Sequence, residues 1–400
     1  MKLKTIAYSL IAAAFVVMLA KDPLLAQAKY DVRGTVKGII TGTAKLATYN
    51  EENRTEKVVD SAAINHGIFE LKGSLSSPQM VIISLEPGKW KFSVFVENGP
   101  VNVTADTAGA HHYDYSAYGM GKGAGVVKFT ETGSKNYDDW MAYEHDPGQK
   151  QYEAVFDELN KKFKAAGKDI DAQYRVRDEM DSVERLLHVW QKQKIDAYVA
   201  QDPSAVAGIY MFDDLYKWIK GTMPYAEMDA MLNKFTGVAK ESPYYKTLSR
   251  YRTLLKAVQR GSTAPDFTLL KRDSSKFTLS ENRGKYLMID MWASWCHPCR
   301  QAIPHWKTVY QKYHDKGFDI VSMSLDSKMK DWTKAMDEEK MPWTQIKDEF
   351  PVKMMPAKVA SLYMTTFIPF YVLLDKEGKI LVYSGDEAKI DEKLKEIYGN

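Results

Sequence analysis

Two cysteines in 400 residues are too few to staple a chain of this size. Structural disulfides stabilise by closing long loops, but Cys296 and Cys299 stand three positions apart in Trp-Cys-His-Pro-Cys and close almost nothing. The pair is read as chemistry rather than as a staple. Charge of one sign is also lacking: 55 basic against 52 acidic residues leave +3, which removes nucleic acid and anionic membranes as default partners. Low-complexity composition is absent too, since 45% of residues are hydrophobic and 12% aromatic, so the chain is globular rather than disordered. Long apolar runs are missing except at the start. There Lys2 and Lys4 precede an apolar stretch, residues 5–20, and the small-residue site Ala26-Gln27-Ala28 follows. This is the layout of a secretory signal cleaved after Ala28, and it predicts export to the periplasm. The stretch falls short of the roughly 20 residues that a membrane anchor needs, and no cysteine lies nearby to carry a lipid.

At about 150 residues per domain, the length predicts two or three domains, each with its own core. Residues 29–130 read as a small antiparallel β domain of short alternating runs. Trp90, Phe92, Val94 and Val96, then Asn98-Gly99-Pro100, then Val101 and Val103 suggest a hairpin, and Asn65-His66-Gly67 suggests the turn of another. The glycines of residues 108–125 precede no helix and read as a flexible loop, not a phosphate cradle. Residues 131–260 change to helical period. Val155, Leu159 and Phe163 share a face, as do Val183, Leu187 and Trp190, and Met211, Leu215 and Ile219. Breaks at Asp202-Pro203, residues 221–224 and Ser242-Pro243 predict four or five helices. Residues 261–400 alternate strand and helix and end in a hairpin and a helix, which predicts a mixed α/β sheet with helices on both faces.

The dithiol falls where a short apolar strand, residues 286–291, feeds a helix. Free backbone N–H groups and the helix dipole favour thiolate there, so Cys296 is expected to be ionised near neutral pH and to attack first. Cys299, one turn inside, is placed to attack the mixed disulfide that results. Pro298 suits the first helical turn because it needs no N–H partner, and a protonated His297 would add a second stabilising charge. Asp290, inside the apolar strand, is desolvated, which raises its pKa toward that of a usable base.

The residues Ser262-Thr263-Ala264-Pro265-Asp266-Phe267, Asp290-Met291-Trp292-Ala293-Ser294-Trp295-Cys296-His297-Pro298-Cys299-Arg300 and Ile368-Pro369 resemble the TlpA/ResA-type thioredoxin-like proteins over about residues 261–400. The β domain and helical spacer resemble, more weakly, those that precede this fold in exported bacterial members. The resemblance implies a thioredoxin-like fold and a protein-disulfide oxidoreductase without a cofactor. It implies that Asp290 moves the proton of Cys299, and that Pro369 is a cis-proline beside the disulfide. Trp295, His297 and the backbone of Ile368 would meet an extended substrate. Two departures stand out. Ala302 occupies a position where many such proteins carry Glu, leaving Asp290 to handle the proton alone. Phe370 replaces the Thr that commonly follows the cis-proline, which puts a bulky group near the docking edge and predicts a different substrate choice.

Other readings compete. A peroxidase of the peroxiredoxin class would need Thr where Ala293 stands, and a zinc site lacks a second ligand pair. A binding protein whose first two domains hold a partner, with the thioredoxin-like domain secondary, is opposed by an intact dithiol with Asp290. With Pro298 in the second intervening position, the motif resembles reducing thioredoxins, so disulfide-containing protein substrates and a membrane-linked electron donor are the expected partners.

Overall fold

The computed structural model describes residues 29–51, 54–116, 121–350 and 356–399. The expected signal, residues 1–28, lies outside them. None of the helices among the described residues is long and apolar enough to cross a membrane.

Alternating apolar residues in the first third fold as one ten-stranded sheet: β1 (Lys29–Lys37), β2 (Thr41–Asn50), β3 (Thr55–Asn65), β4 (Ile68–Ser74), β5 (Gln79–Glu86), β6 (Trp90–Val96), β7 (Gly99–Asp106), β8 (His111–Asp114), β9 (Lys122–Gly125) and β10 (Lys128–Thr132). The strand order is β10-β7-β1-β4-β3-β2-β5-β6-β9-β8. The turn between β3 and β4 has positive φ at both His66 and Gly67, which the tight primed turn of a two-residue hairpin requires. The other expected hairpin does not form. β6 pairs with β5 and β9, whereas β7 joins β1 in parallel. Only Gly99 of the Asn98-Gly99 pair has positive φ, so no primed turn returns the chain along β6. Residues 97–98 carry it away instead, and Val94 of β6 and Val103 of β7 meet in one core because the sheet folds over. Where a flexible loop is expected in the glycine-rich segment, residues 111–114 and 122–125 form an antiparallel pair, β8 and β9. Gly123 lies opposite Tyr113, where a Cβ would collide with the tyrosine ring.

Seven helices follow among the described residues, rather than four or five: α1 (Lys135–Glu144), α2 (Pro147–Ala165), α3 (Ile170–Gln201), α4 (Val206–Ile219), α5 (Tyr225–Leu232), α6 (Gly237–Glu241) and α7 (Pro243–Ala257). The Ser134 hydroxyl caps α1 by accepting from Tyr137 N–H, and two of the starts not expected, those of α2 and α3, are capped by Asp146 and Asp169, whose carboxylates accept from Gly148 and Ala172 N–H. The helices share a core around Phe212, Leu215, Phe235 and Leu248. Phe95 of β6 and Met364 of the C-terminal domain are buried in that same core. The Tyr244 hydroxyl accepts the Met80 N–H at 2.8 Å, which adds a polar tie to the β sheet.

The C-terminal part is a seven-stranded sheet in the order β12-β11-β15-β14-β13-β16-β17. Its strands are β11 (Thr268–Lys271), β12 (Lys276–Thr278), β13 (Tyr286–Trp292), β14 (Phe318–Ser324), β15 (Thr344–Lys347), β16 (Phe370–Leu374) and β17 (Ile380–Ser384). Its helices are α8 (His297–Tyr313), α9 (Met329–Glu339), α10 (Lys358–Leu362) and α11 (Glu387–Tyr398). β13 is parallel to β14 and antiparallel to β16, and its apolar run, interrupted by Asp290 alone, is buried on both faces, as a central strand requires. Leu287, Ile289 and Met291 face a core closed by α10 and the segment ahead of β13. Met288 lies on the other face, in a core closed by α8 and α11. This is the thioredoxin-like α/β arrangement.

Candidate functional site

Cys296 is the N-cap of α8, with extended backbone at the cap, and Pro298 sits in the first turn, where no N–H partner is needed. The Cys296 sulfur accepts the N–H of Cys299 at 3.3 Å, so one of the free N–H groups that begin the helix is aimed at this sulfur. Cys296 and Cys299 are joined as a disulfide with their Cα atoms 5.3 Å apart. Both are buried, in a small core with Trp292, Ala293, Ile303 and Trp332, against which Ile368 packs. Trp295 and His297 on either side of Cys296 are exposed, Trp295 to 68%. The bond between Ile368 and Pro369 is cis. Cys296, Cys299 and Ile368 are thus brought together, with Trp295 and His297 at the rim.

Asp290 lies on the β13 face that α8 covers. Met288, two residues before it, shares a core with Ala302 and Trp306 of α8, and Trp292, two residues after it, shares one with Cys299. The carboxylate is 4% exposed and accepts one hydrogen bond from the Ser322 hydroxyl, at 2.6 Å to Oδ2. Burial pushes its pKa from 3.8 up to about 6, and the Ser322 hydroxyl opposes that rise. No ion pair reaches it among the described residues. Opposite it in register stand Ser322 of β14 and Tyr371 of β16.

The loop ahead of Cys296 is held by residues the sequence did not single out. Asp326, buried just past β14, accepts the Ser294 N–H at 2.9 Å and the Ser294 hydroxyl at 2.6 Å, while Ser324 donates to it at 2.8 Å. The available signal was an acid directly after an apolar parallel strand, at the end of the sheet where sites gather. Arg300 ties α8 to α9 through Glu339 at 2.6 Å and Glu338 at 2.9 Å.

Phe370 does not form a docking edge. It is buried in the core beneath β13 and packs against Tyr383 with ring centroids 4.6 Å apart, because its strand position points it inward. The exposed aromatic of this loop is Phe367, which sequence reasoning passed over. Among the described residues, no three His, Cys, Asp or Glu side chains are arranged to hold a metal ion.

Comparison with known proteins adds the context. Residues 259–398 match the Redoxin family, and residues 30–140 match a domain of unknown function, DUF4369. The thiol-disulfide oxidoreductase ResA of Bacillus thuringiensis subsp. konkukian is 27% identical over 154 residues, which is 37% of this chain and 83% of that protein. A ResA of Bacillus cereus is 29% identical over 143 residues, 35% of this chain and 74% of that protein. Among solved structures, a thiol-disulfide oxidoreductase from Bacteroides fragilis is similar at 30% identity, with 34% of this chain and 99% of that one covered and a TM-score of 0.31. Matching the Redoxin family and most of each ResA sequence, residues 259–398 belong to the TlpA/ResA-type thioredoxin-like thiol-disulfide oxidoreductases.

Proposed function

We propose that this protein is an exported thiol-disulfide oxidoreductase that donates electrons from Cys296 and Cys299 to disulfides in protein substrates. The carrying observation is the Cys296 sulfur at the head of α8, accepting a helix N–H that favours its thiolate once the pair is reduced. Cys296 thiolate attacks a substrate disulfide, one substrate sulfur leaves, and a mixed disulfide forms. The Cys299 thiol then gives its proton to Asp290 and attacks Cys296 Sγ. The bond to substrate breaks, and the second substrate sulfur leaves as a thiolate that takes up a proton. Two electrons have passed to the substrate, and the Cys296–Cys299 disulfide remains. Trp295 and His297 at the rim and the Ile368 backbone meet the polypeptide around its disulfide. A membrane-linked dithiol donor recharges the pair, because an exported reductant is otherwise spent after one turnover.

Replacing each cysteine by serine tests the roles. Cys299→Ser is expected to accumulate mixed disulfides with substrate and Cys296→Ser to accumulate none; trapping through Cys299 would reverse the assignment. A redox titration separates reductant from oxidant, since a potential near about −120 mV, that of a strong periplasmic oxidant, would overturn the direction. N-terminal sequencing of the secreted protein is expected to begin at Lys29.

A further inference from the structure

The one hydrogen bond described for Asp290 belongs to a longer chain. The indole N–H of Trp343, in the segment between α9 and β15, donates to the Ser322 hydroxyl oxygen at 2.7 Å, and that hydroxyl donates to Asp290 Oδ2 at 2.6 Å. All three groups are buried, Ser322 completely. An indole N–H can only donate, and an ionised carboxylate can only accept. The serine between them has one hydrogen, so with Trp343 on its oxygen the hydrogen is committed to Asp290. The competing acceptor, the Met341 sulfur, is 4.0 Å away and weak.

We propose that Trp343 and Ser322 are positioning residues for disulfide exchange: the indole holds the serine hydroxyl as a fixed donor to Oδ2, leaving Oδ1 to exchange the proton of Cys299. The inference rests on Asp290 serving Cys299. It supplies what a lone buried acid lacks in this chain, where Ala302 is apolar: a single orientation and a donor that favours the ionised form. Ser322 of β14 and Tyr371 of β16 stand opposite Asp290 in register, Met341 and Trp343 of the segment before β15 reach it through Ser322, and α8 covers its strand face, with Trp306 and Cys299 in the cores of Met288 and Trp292 on either side. Burial and then the Asp290 charge push the Tyr371 hydroxyl well above its ordinary value, so it does not titrate near neutral pH.

The test is stopped-flow reaction of the reduced full-length protein with dithiobis-nitrobenzoate. The first coloured thiolate reports attack by Cys296, and the second reports its displacement by Cys299. Plotted against pH, the second step is expected to rise as Asp290 ionises. Ser322→Ala is expected to move that rise upward by about one pH unit, because a hydrogen bond to the charged form is lost. Trp343→Phe, which keeps the ring and removes the N–H, is expected to move it the same way by less. Asp290→Asn is expected to abolish the rise. If Asp290→Asn abolishes it but Ser322→Ala and Trp343→Phe leave its midpoint in place, the positioning role is wrong and the role of Asp290 survives. If Asp290→Asn leaves the profile intact, the role of Asp290 fails and the positioning role with it. A uniform loss at every pH in Ser322→Ala and Trp343→Phe would mark them as packing residues only.

Discussion

Replacing Asp290 by Asn is expected to change stability in a way that depends on pH. In the oxidised protein both cysteines are held in the disulfide and cannot titrate, so the buried carboxyl is the ionisable group at the site. Its folded pKa is about 6 against 3.8 for an ordinary aspartate. The folded state therefore holds its proton more tightly than the unfolded state, and folding stability falls as pH rises from about 4 to about 6. A shift of this size amounts to about 3 kcal/mol when the group is fully ionised, and to a little over 2 kcal/mol between pH 4 and pH 7, because some of the loss has already occurred at pH 4. An asparagine side chain can accept from Ser322 through its amide oxygen, but it buries an extra N–H, an offset of about 1–3 kcal/mol that does not vary with pH. The comparison that isolates ionisation is thus the change in the difference between variant and parent. Urea unfolding of both oxidised proteins at several pH values should show the Asp290→Asn variant gaining on the parent by a little over 2 kcal/mol from pH 4 to pH 7, then levelling above pH 7. A difference constant across that range would refute the reasoning, since it would mean the carboxyl is not held above its ordinary value.

Two further expectations concern other buried acids. Glu131 accepts the Phe95 N–H with both oxygens at 3.1 Å, and burial pushes its carboxyl to about 8. The contribution of its protonated form is complete below about pH 4.5 and is lost as pH rises through 8, so Glu131→Gln should gain stability relative to the parent across that window in urea titrations. Asp326→Ala removes the acceptor of two hydrogen bonds from half-buried Ser294 and of one from the buried Ser324 hydroxyl, leaving these donors unpaired. It should cost about 1–3 kcal/mol and loosen the loop ahead of Cys296, seen as faster hydrogen exchange at the Ser294 amide than in the parent.

The redox centre is legible in sequence because its chemistry is local. Cys296, Pro298 and Cys299 lie within one helical turn, and an acid such as Asp290 stands out in an apolar strand. What supports them is not local. Ser322 is 32 residues from Asp290 and Trp343 another 21, and their meeting depends on the register of β13 with β14. The β6 and β7 strands were readable from alternation, but their partners were not, since an Asn-Gly pair specifies a hairpin only when both residues take positive φ. Phe370 and Phe367 differ in exposure because Phe370 opens β16, a central strand buried on both faces, whereas Phe367 lies in the loop before it, and where that strand begins is set by its pairing rather than by the local sequence.

Met364 carries a consequence for how the protein can be divided. Five residues before Pro369, its side chain is buried among the helices of the middle domain, and Gly221 after α4 meets Thr366 closely enough that a Cβ would collide with it. The two jaws of the redox site therefore have different owners: the sulfurs stand on the α/β sheet, and the loop across from them is gripped by the neighbouring helical body. A fragment cut near residue 260 would keep every group that exchanges electrons and lose the grip, leaving Met364 bare to water. By reciprocity, a partner that binds this loop more tightly when the helical body holds it must stabilise that body by the same coupling free energy.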